Sequence, residues 1–402
     1  MKSTKRRWVP AAMLGLTVAL TLGACSSEPA AAPAGAPTSS SQPAGGGQTP
    51  PAGPAKVVAL PAGGAQDVSP GDPVKITVAD GTIGAVTLTN ADGKQVAGSP
   101  AADKHSWSTT ESLGYGKTYN WSGNAVGTDG KTVSISGSFG TVKPKRQVAG
   151  HLNVGDGQTY GVAMPIALNF TNPVADKAAV EKALTVETTP KTEGSWAWME
   201  GDTSVHWRPK DYYAANTKVV VNAKLYGVKL AEGTYGKQDV SASFSIGHSQ
   251  IVRGDTQTHR MLVFQDGKQV ADYPASYGLD SVDWRNTHNG IHVVMEKDPT
   301  YLMSNPRGGY KDVFVRWAVR VSNNGEFIHA LPASVWAQGN RNVSHGCVNL
   351  STDNAKSYFD FAQIGDPVEI TGSGTTLGAA DGDYHDWTYN WADWSKMSAL
   401  NS

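Results

Sequence analysis

The chain has 402 residues, of which 39% are hydrophobic, 8% aromatic and 17% charged, with 45 Gly and 22 Pro. Low charge and high Gly exclude a coiled coil or a long helical array, which needs Ala, Glu, Lys and Leu at helical period. Lys and Arg number 34 against 35 Asp and Glu, a net charge of −1, so no basic excess exists to neutralise the phosphates of a nucleic acid.

Lys2, Lys5, Arg6 and Arg7 open the chain, and an apolar run follows from Trp8 to Ala24. Gly15 and Thr17 interrupt the run, which is short for a membrane span and predicts a secretory signal. Its end, Leu22-Gly23-Ala24-Cys25, resembles a bacterial lipobox, in which Cys25 receives the lipid. The alternative is an ordinary signal peptide with a coincidental Cys. Residues 26–55 are Ala, Pro, Gly, Ser, Gln and Thr almost throughout and cannot bury enough apolar area to fold, so they predict a tether.

Two β-rich modules follow, at 56–146 and 147–249. In the first, Pro73–Val78, Ala85–Thr89 and Thr132–Ser136 alternate apolar and polar residues, and Asp-Gly turns separate them. The second repeats the style at Ile166–Phe170, Val205–Trp207 and Lys218–Val221, with one short helix predicted over Ala175–Leu184. Period-two runs at this spacing predict antiparallel sandwiches of immunoglobulin type. Neither module has a Cys, so packing around Trp107, Trp121, Trp198 and Trp207 must hold them. They read as spacers; the alternative is glycan binding through an exposed Trp. Lys143-Pro144-Lys145-Arg146 reads as the linker between them.

With Cys25 lipidated, Cys347 has no disulfide partner, and a lone thiol in an oxidising envelope is a liability unless it is used. It stands in Asn342-Val343-Ser344-His345-Gly346-Cys347-Val348-Asn349-Leu350. Gly346 permits a tight turn before the thiol. A free thiol is only a few per cent ionised at neutral pH, so catalysis needs a base. His329 lies 18 residues upstream on a short strand that includes Phe327. Ser351 predicts the N-cap of a helix over Thr352–Ala362, and a strand returns near Pro367–Ile370. In the tail, Trp387, Trp391 and Trp394 fall at i, i+4 and i+7, which predicts one helical face docked on the catalytic region or the second sandwich. A metal site from His288, His292, His329 and His345 lacks a familiar ligand spacing, and no cofactor is expected.

A His, this gap, then Ser-His-Gly-Cys with an Asn two residues on is the pattern of the L,D-transpeptidase catalytic domain, which the chain resembles. Asn286–His292 resembles that family's Thr-Pro-x-Gly strand start, with His288 where Pro is usual, a departure expected to affect a turn and not the chemistry. The whole chain resembles the mycobacterial type. The implied fold is mainly β: two immunoglobulin-like sandwiches, a catalytic β-sandwich at 250–372 and a short helical C-terminal subdomain at 373–402.

The resemblance implies that Cys347 is the nucleophile and His329 the base, oriented through the Ala330 carbonyl where relatives have Ser; if the hydroxyl is required, activity is in doubt. It assigns the N–H groups of Cys347 and Gly346 to the oxyanion. Ser344, His345 and Asn349 belong to the motif, His345 as orienter of the Cys loop. Tyr310 and Met303 match the lid, and Arg341 is either a contact for a substrate carboxylate or an ordinary surface Arg. The implied reaction forms 3→3 peptidoglycan cross-links. A tetrapeptide donor stem loses D-Ala to a thioester, and the diamino-acid amine of an acceptor stem takes the acyl group. Carbapenems are the implied covalent inhibitors. The implied place is the outer face of the plasma membrane, towards the wall. The alternatives are an L,D-carboxypeptidase using the same Cys and a non-catalytic peptidoglycan-binding lipoprotein.

Overall fold

In the first module, alternation puts Ile76 and Val78 of the Lys75–Ala79 strand inward, both buried. That strand lies between Lys56–Leu60 and Ser106–Thr109 in a four-stranded antiparallel sheet with Gly98–Pro100 at its edge. Asp80, with φ of 55°, turns the chain out of this sheet, and Gly81–Asn90 joins Thr118–Gly127 and Thr132–Gly140 in a second one. Between the sheets Trp107 meets Trp121 edge to face, ring centroids 5.6 Å apart. The computed structural model describes residues 52–382 and 384–401, so the expected signal sequence, Cys25 and most of the expected tether lie outside the described residues.

The second module has the same plan. Gly194–Trp198, Ser204–Pro209, Ile166–Phe170 and Gly150–Leu152 form one sheet; Thr159–Tyr160, Val240–Ile246, Lys218–Ala223 and Leu184–Thr189 form the other. Its helix spans Lys177–Lys182, shorter at both ends than expected: the Asp176 carboxylate caps its start, accepting from the Ala179 N–H, and the next strand begins at Leu184. Trp107, Trp121, Trp196, Trp198 and Trp207 are all buried, so glycan binding through an exposed Trp of these modules is overturned: their rings are core. The expected linker is also tied down. Arg146–Val148 is a strand paired in parallel with Thr234–Gly236. Tyr115 donates to the Gly236 carbonyl and Tyr226 to the Leu113 carbonyl, both at 2.7 Å, which joins the two modules.

In the third module two sheets face each other. Lys268–Pro274, Arg260–Gln265, Gln250–Asp255, Pro367–Thr371 and Gly290–Val293 make the first; Glu296–Asn305, Tyr310–Arg320, Phe327–Ala330 and Val348–Leu350 make the second. Val252, Val263, Val319, Ile328, Leu350 and Val368 fill the space between them. The helix Thr352–Phe361 starts at Ser351, whose hydroxyl accepts from the Asn354 N–H, and buries Ala355 and Tyr358 in the same core. Parallel pairing of Phe327–Ala330 with Val348–Leu350 sets His329 opposite Asn349. The strand–loop–strand path therefore returns Cys347 to the level of Phe327, two residues along the strand from His329.

The tail corrects one expectation. Trp387 does not share a helical face with Trp391 and Trp394: Asp386–Thr388 is a single 3₁₀ turn, Tyr389 is extended, and Asn390 caps a separate helix, Trp391–Lys396. The three rings converge instead on the buried Arg208 guanidinium, with centroids 4.5, 5.4 and 4.9 Å away. Trp387 Nε1 donates to the Ala163 carbonyl at 2.9 Å and Trp394 Nε1 to that of Ser195 at 3.0 Å. The buried Glu181 accepts from the Ser398 hydroxyl and, at 2.7 Å, from the Ala399 N–H. The tail is docked on the second module.

Candidate active site

The loop before Cys347 is pinned on every side. Gly346 has φ of +124°, which L side chains rarely adopt. The Ser344 hydroxyl donates to the Cys347 carbonyl at 2.7 Å and accepts from the Gly346 N–H at 3.1 Å. Thr287 donates to the Gly346 carbonyl at 2.7 Å, and its oxygen accepts from the Gly278 N–H. Arg285 donates to the carbonyls of Val343 and Ser344, at 2.6 and 3.0 Å. Four carbonyls of the loop and the Gly346 N–H are thus committed, and the thiol's position follows from them.

Cys347 and His329 line one cleft of about 300 Å³, with Asn349, Ser344 and His345 on the loop side. Met303 and Tyr310 close it from the hairpin formed by Glu296–Asn305 and Tyr310–Arg320. Met303 is buried against Phe327, Val315 and Cys347. The Tyr310 ring meets His345 at 5.2 Å, and His345 also lies 5.7 Å from Trp284, so an aromatic row joins lid and loop.

His329 Nδ1 lies 3.1 Å from the Ala330 carbonyl oxygen. A carbonyl only accepts, so Nδ1 carries the hydrogen and Nε2 keeps its lone pair. Burial lowers the imidazole to about 4, and burial likewise pushes the Cys347 thiol up to about 12. Both groups are therefore neutral at pH 7. The sulfur's hydrogen bond is to the Gly325 carbonyl, at 3.7 Å.

The family model for the L,D-transpeptidase catalytic domain matches residues 249–370, and that for a bacterial Ig domain matches residues 65–229. L,D-transpeptidase 5 of Mycobacterium tuberculosis is 50% identical over 343 residues, which is 85% of this chain and 76% of that protein. The chain belongs to the L,D-transpeptidase family. L,D-transpeptidase 2 of the same species is 36% identical over 353 residues, 86% of this chain and 85% of that one. A solved structure of the L,D-transpeptidase LdtMt1 in complex with imipenem is 33% identical and superposes with a TM-score of 0.48, covering 57% of this chain and 99% of that chain.

Three details of this L,D-transpeptidase bear on the expected roles. The Gly346 N–H, an expected oxyanion donor, is bonded to the Ser344 hydroxyl. Arg341 is exposed and outside the cleft, its guanidinium 5.7 Å from the Trp336 ring centroid, the placement of the surface-Arg alternative. His288 does more than shape a turn: its Nδ1 and backbone N–H both lie 2.8 Å from Glu326 Oε1, close behind Gly346. Arg285 and Glu326 escaped the sequence reading, and Thr287 entered it only as the Thr of the strand-start resemblance. Arg285 and Glu326 carry no motif of their own.

Proposed function

We propose that this L,D-transpeptidase forms 3→3 peptidoglycan cross-links through a Cys347 thioester. The observation that carries the reading is Cys347 and a neutral, correctly tautomerised His329 in one apolar cleft, under a lid that carries Tyr310 and Met303. The free enzyme holds thiol and imidazole uncharged. The donor's third-residue carbonyl enters, the Cys347 proton passes to His329 Nε2, and sulfur bonds to the carbonyl carbon. The oxyanion takes the Cys347 N–H. Its collapse breaks the bond to D-Ala, whose amine takes the proton from His329. The acceptor's side-chain amine then attacks the thioester, gives its proton back through His329, and releases the thiol. Atoms balance as donor plus acceptor giving dimer plus D-Ala. Fixed donors at an oxyanion typically contribute about 3 kcal/mol.

The decisive experiment mixes the protein, with Cys347→Ala beside it, with a purified disaccharide-tetrapeptide. A dimer lighter than two monomers by one D-Ala, absent in the variant, supports the reading. Monomer lacking D-Ala without dimer points to the carboxypeptidase. No product in either sample points to wall binding without catalysis. Carbapenems, represented by the imipenem bound to LdtMt1, are the β-lactams this reading expects to acylate Cys347.

The same reading places the protein at the outer face of the plasma membrane, held by lipid on Cys25, the lipobox-like end of an N-terminal apolar run. Cys25→Ala should move the protein from the membrane to the soluble fraction; an unchanged membrane fraction argues against the lipid anchor.

A further inference from the structure

Behind the Cys347 loop lies a second polar cluster that the mechanism above does not use. Glu326 is buried at 4% exposure in a turn between the lid hairpin and the His329 strand. Its Oε1 accepts from the His288 backbone N–H and faces His288 Nδ1, each at 2.8 Å. Its Oε2 accepts from the Ser322 hydroxyl at 3.0 Å and lies 3.6 Å from His292 Nδ1. Glu326 Cγ is 3.4 Å from where a side chain on Gly346 would begin, and the residue before Glu326 supplies the carbonyl that holds the Cys347 thiol. A buried carboxylate thus stands directly against the nucleophile's loop.

Such a charge opposes formation of a thiolate unless it is compensated. We infer that His288 is a positioning residue for Cys347: its imidazolium, clamped on Glu326, cancels the carboxylate's field behind the nucleophile and turns the carboxylate away from the thiol. The inference rests on the reading of Cys347 as nucleophile. The neighbouring electrostatics agree. The hydrogen bond to Glu326 raises His288 from its ordinary value. Burial alone would raise Glu326, but the hydrogen bond and charge of His288, with the charge of His292, outweigh burial and hold it below the usual carboxylate range. The other groups facing the pair and the thiol are Asp381 from the tail, which adds to the rise at His288, Arg320 from the lid hairpin, which favours the thiolate, and the neutral His329 and Tyr310. None of these replaces His288 as the group in contact with Glu326 Oε1.

The test uses the full chain carrying C25S, which leaves Cys347 as the sole thiol of the two in the sequence. Alkylation by iodoacetamide is followed by the mass of the Cys347 peptide from about pH 6 to about pH 9, a span that brackets the ordinary imidazole range. At about pH 8, H288Q should be alkylated about tenfold more slowly, the consequence of raising a thiol by about one pH unit. Adding E326Q to H288Q should bring the rate back to within about twofold of the parent, because no charge then needs cancelling. A purely structural role predicts the opposite, since the second change would leave the loop no better held. An H288Q rate equal to the parent's, or a double variant as slow as H288Q, overturns the inference. Should H288Q fail to fold, judged by near-UV circular dichroism, H288N and H288N/E326Q carry the same comparison. Alkylation needs no stem peptide, so this outcome is independent of the muropeptide assay: loss of dimer formation there with the charge rescue intact here would count against the transpeptidase reading alone.

Discussion

His329 sits where burial decides its charge. The imidazole is lowered to about 4 in the folded chain, against an ordinary 6.5. Between those values the unfolded chain takes up a proton that the folded chain refuses. Stability contributed by the neutral ring is therefore complete above about pH 6.5 and is lost as pH falls towards about 4, by about 3 kcal/mol over the interval. The urea midpoint should fall between about pH 7 and about pH 4.5, and His329→Gln should blunt the fall. An equal fall in both proteins would show that other groups set the acid sensitivity. The two reacting residues were legible from sequence because Ser-His-Gly-Cys and an upstream His are contiguous signals. The His288–Glu326 contact was not legible, for the opposite reason: the two residues are 38 apart in sequence, and only the fold makes them neighbours.

At the scale of elements, the Cys loop is held by hydrogen bonds that reach it from another segment. Thr287 ties the Gly346 carbonyl to the Gly278 N–H, both buried. Thr287→Val keeps the shape and removes both bonds, so stability should drop by about 1–3 kcal/mol, with a larger proportional loss of dimer-forming rate than of overall stability. Wild-type turnover in a stably folded Thr287→Val protein would mean that the loop needs no such tie. Strands were legible because period-two alternation is local: Ile76 and Val78 face inward as read. The tail was not, because i, i+4, i+7 spacing assumes an unbroken helix. Tyr389 in extended backbone breaks it, and the Asn390 cap starts a new one. The indoles still share a target, the Arg208 guanidinium, which no helical projection of the tail contains.

Over the whole molecule, the tail acts as a clasp on the second module. Arg208 donates to the Tyr389 carbonyl at 2.8 Å beneath the three indoles, and Glu181 is satisfied by the last residues of the chain. Deleting 381–402 would strip cover from both charges and open the site of a fully buried Trp394. The melting temperature should fall, with at least about 3 kcal/mol lost from the loss of that ring alone; an unchanged value would contradict docking as a source of stability. The modules themselves are joined by half-buried tyrosine hydrogen bonds and a parallel strand pair where the sequence suggested a free linker. Lys143-Pro144-Lys145-Arg146 looks like a linker by composition, and nothing local announces that Arg146 will pair with Thr234.

Acyl transfer through Cys347 would leave the donor on the thiol. The check is to mix the protein with a tetrapeptide donor stem, quench in acid, and weigh the Cys347 peptide. The expected result is an increase equal to the donor stem less D-Ala, absent in Cys347→Ala and discharged when a diamino-acid amine is added. Cross-linked product formed with no acyl mass on Cys347, or with that mass on another residue, would contradict it.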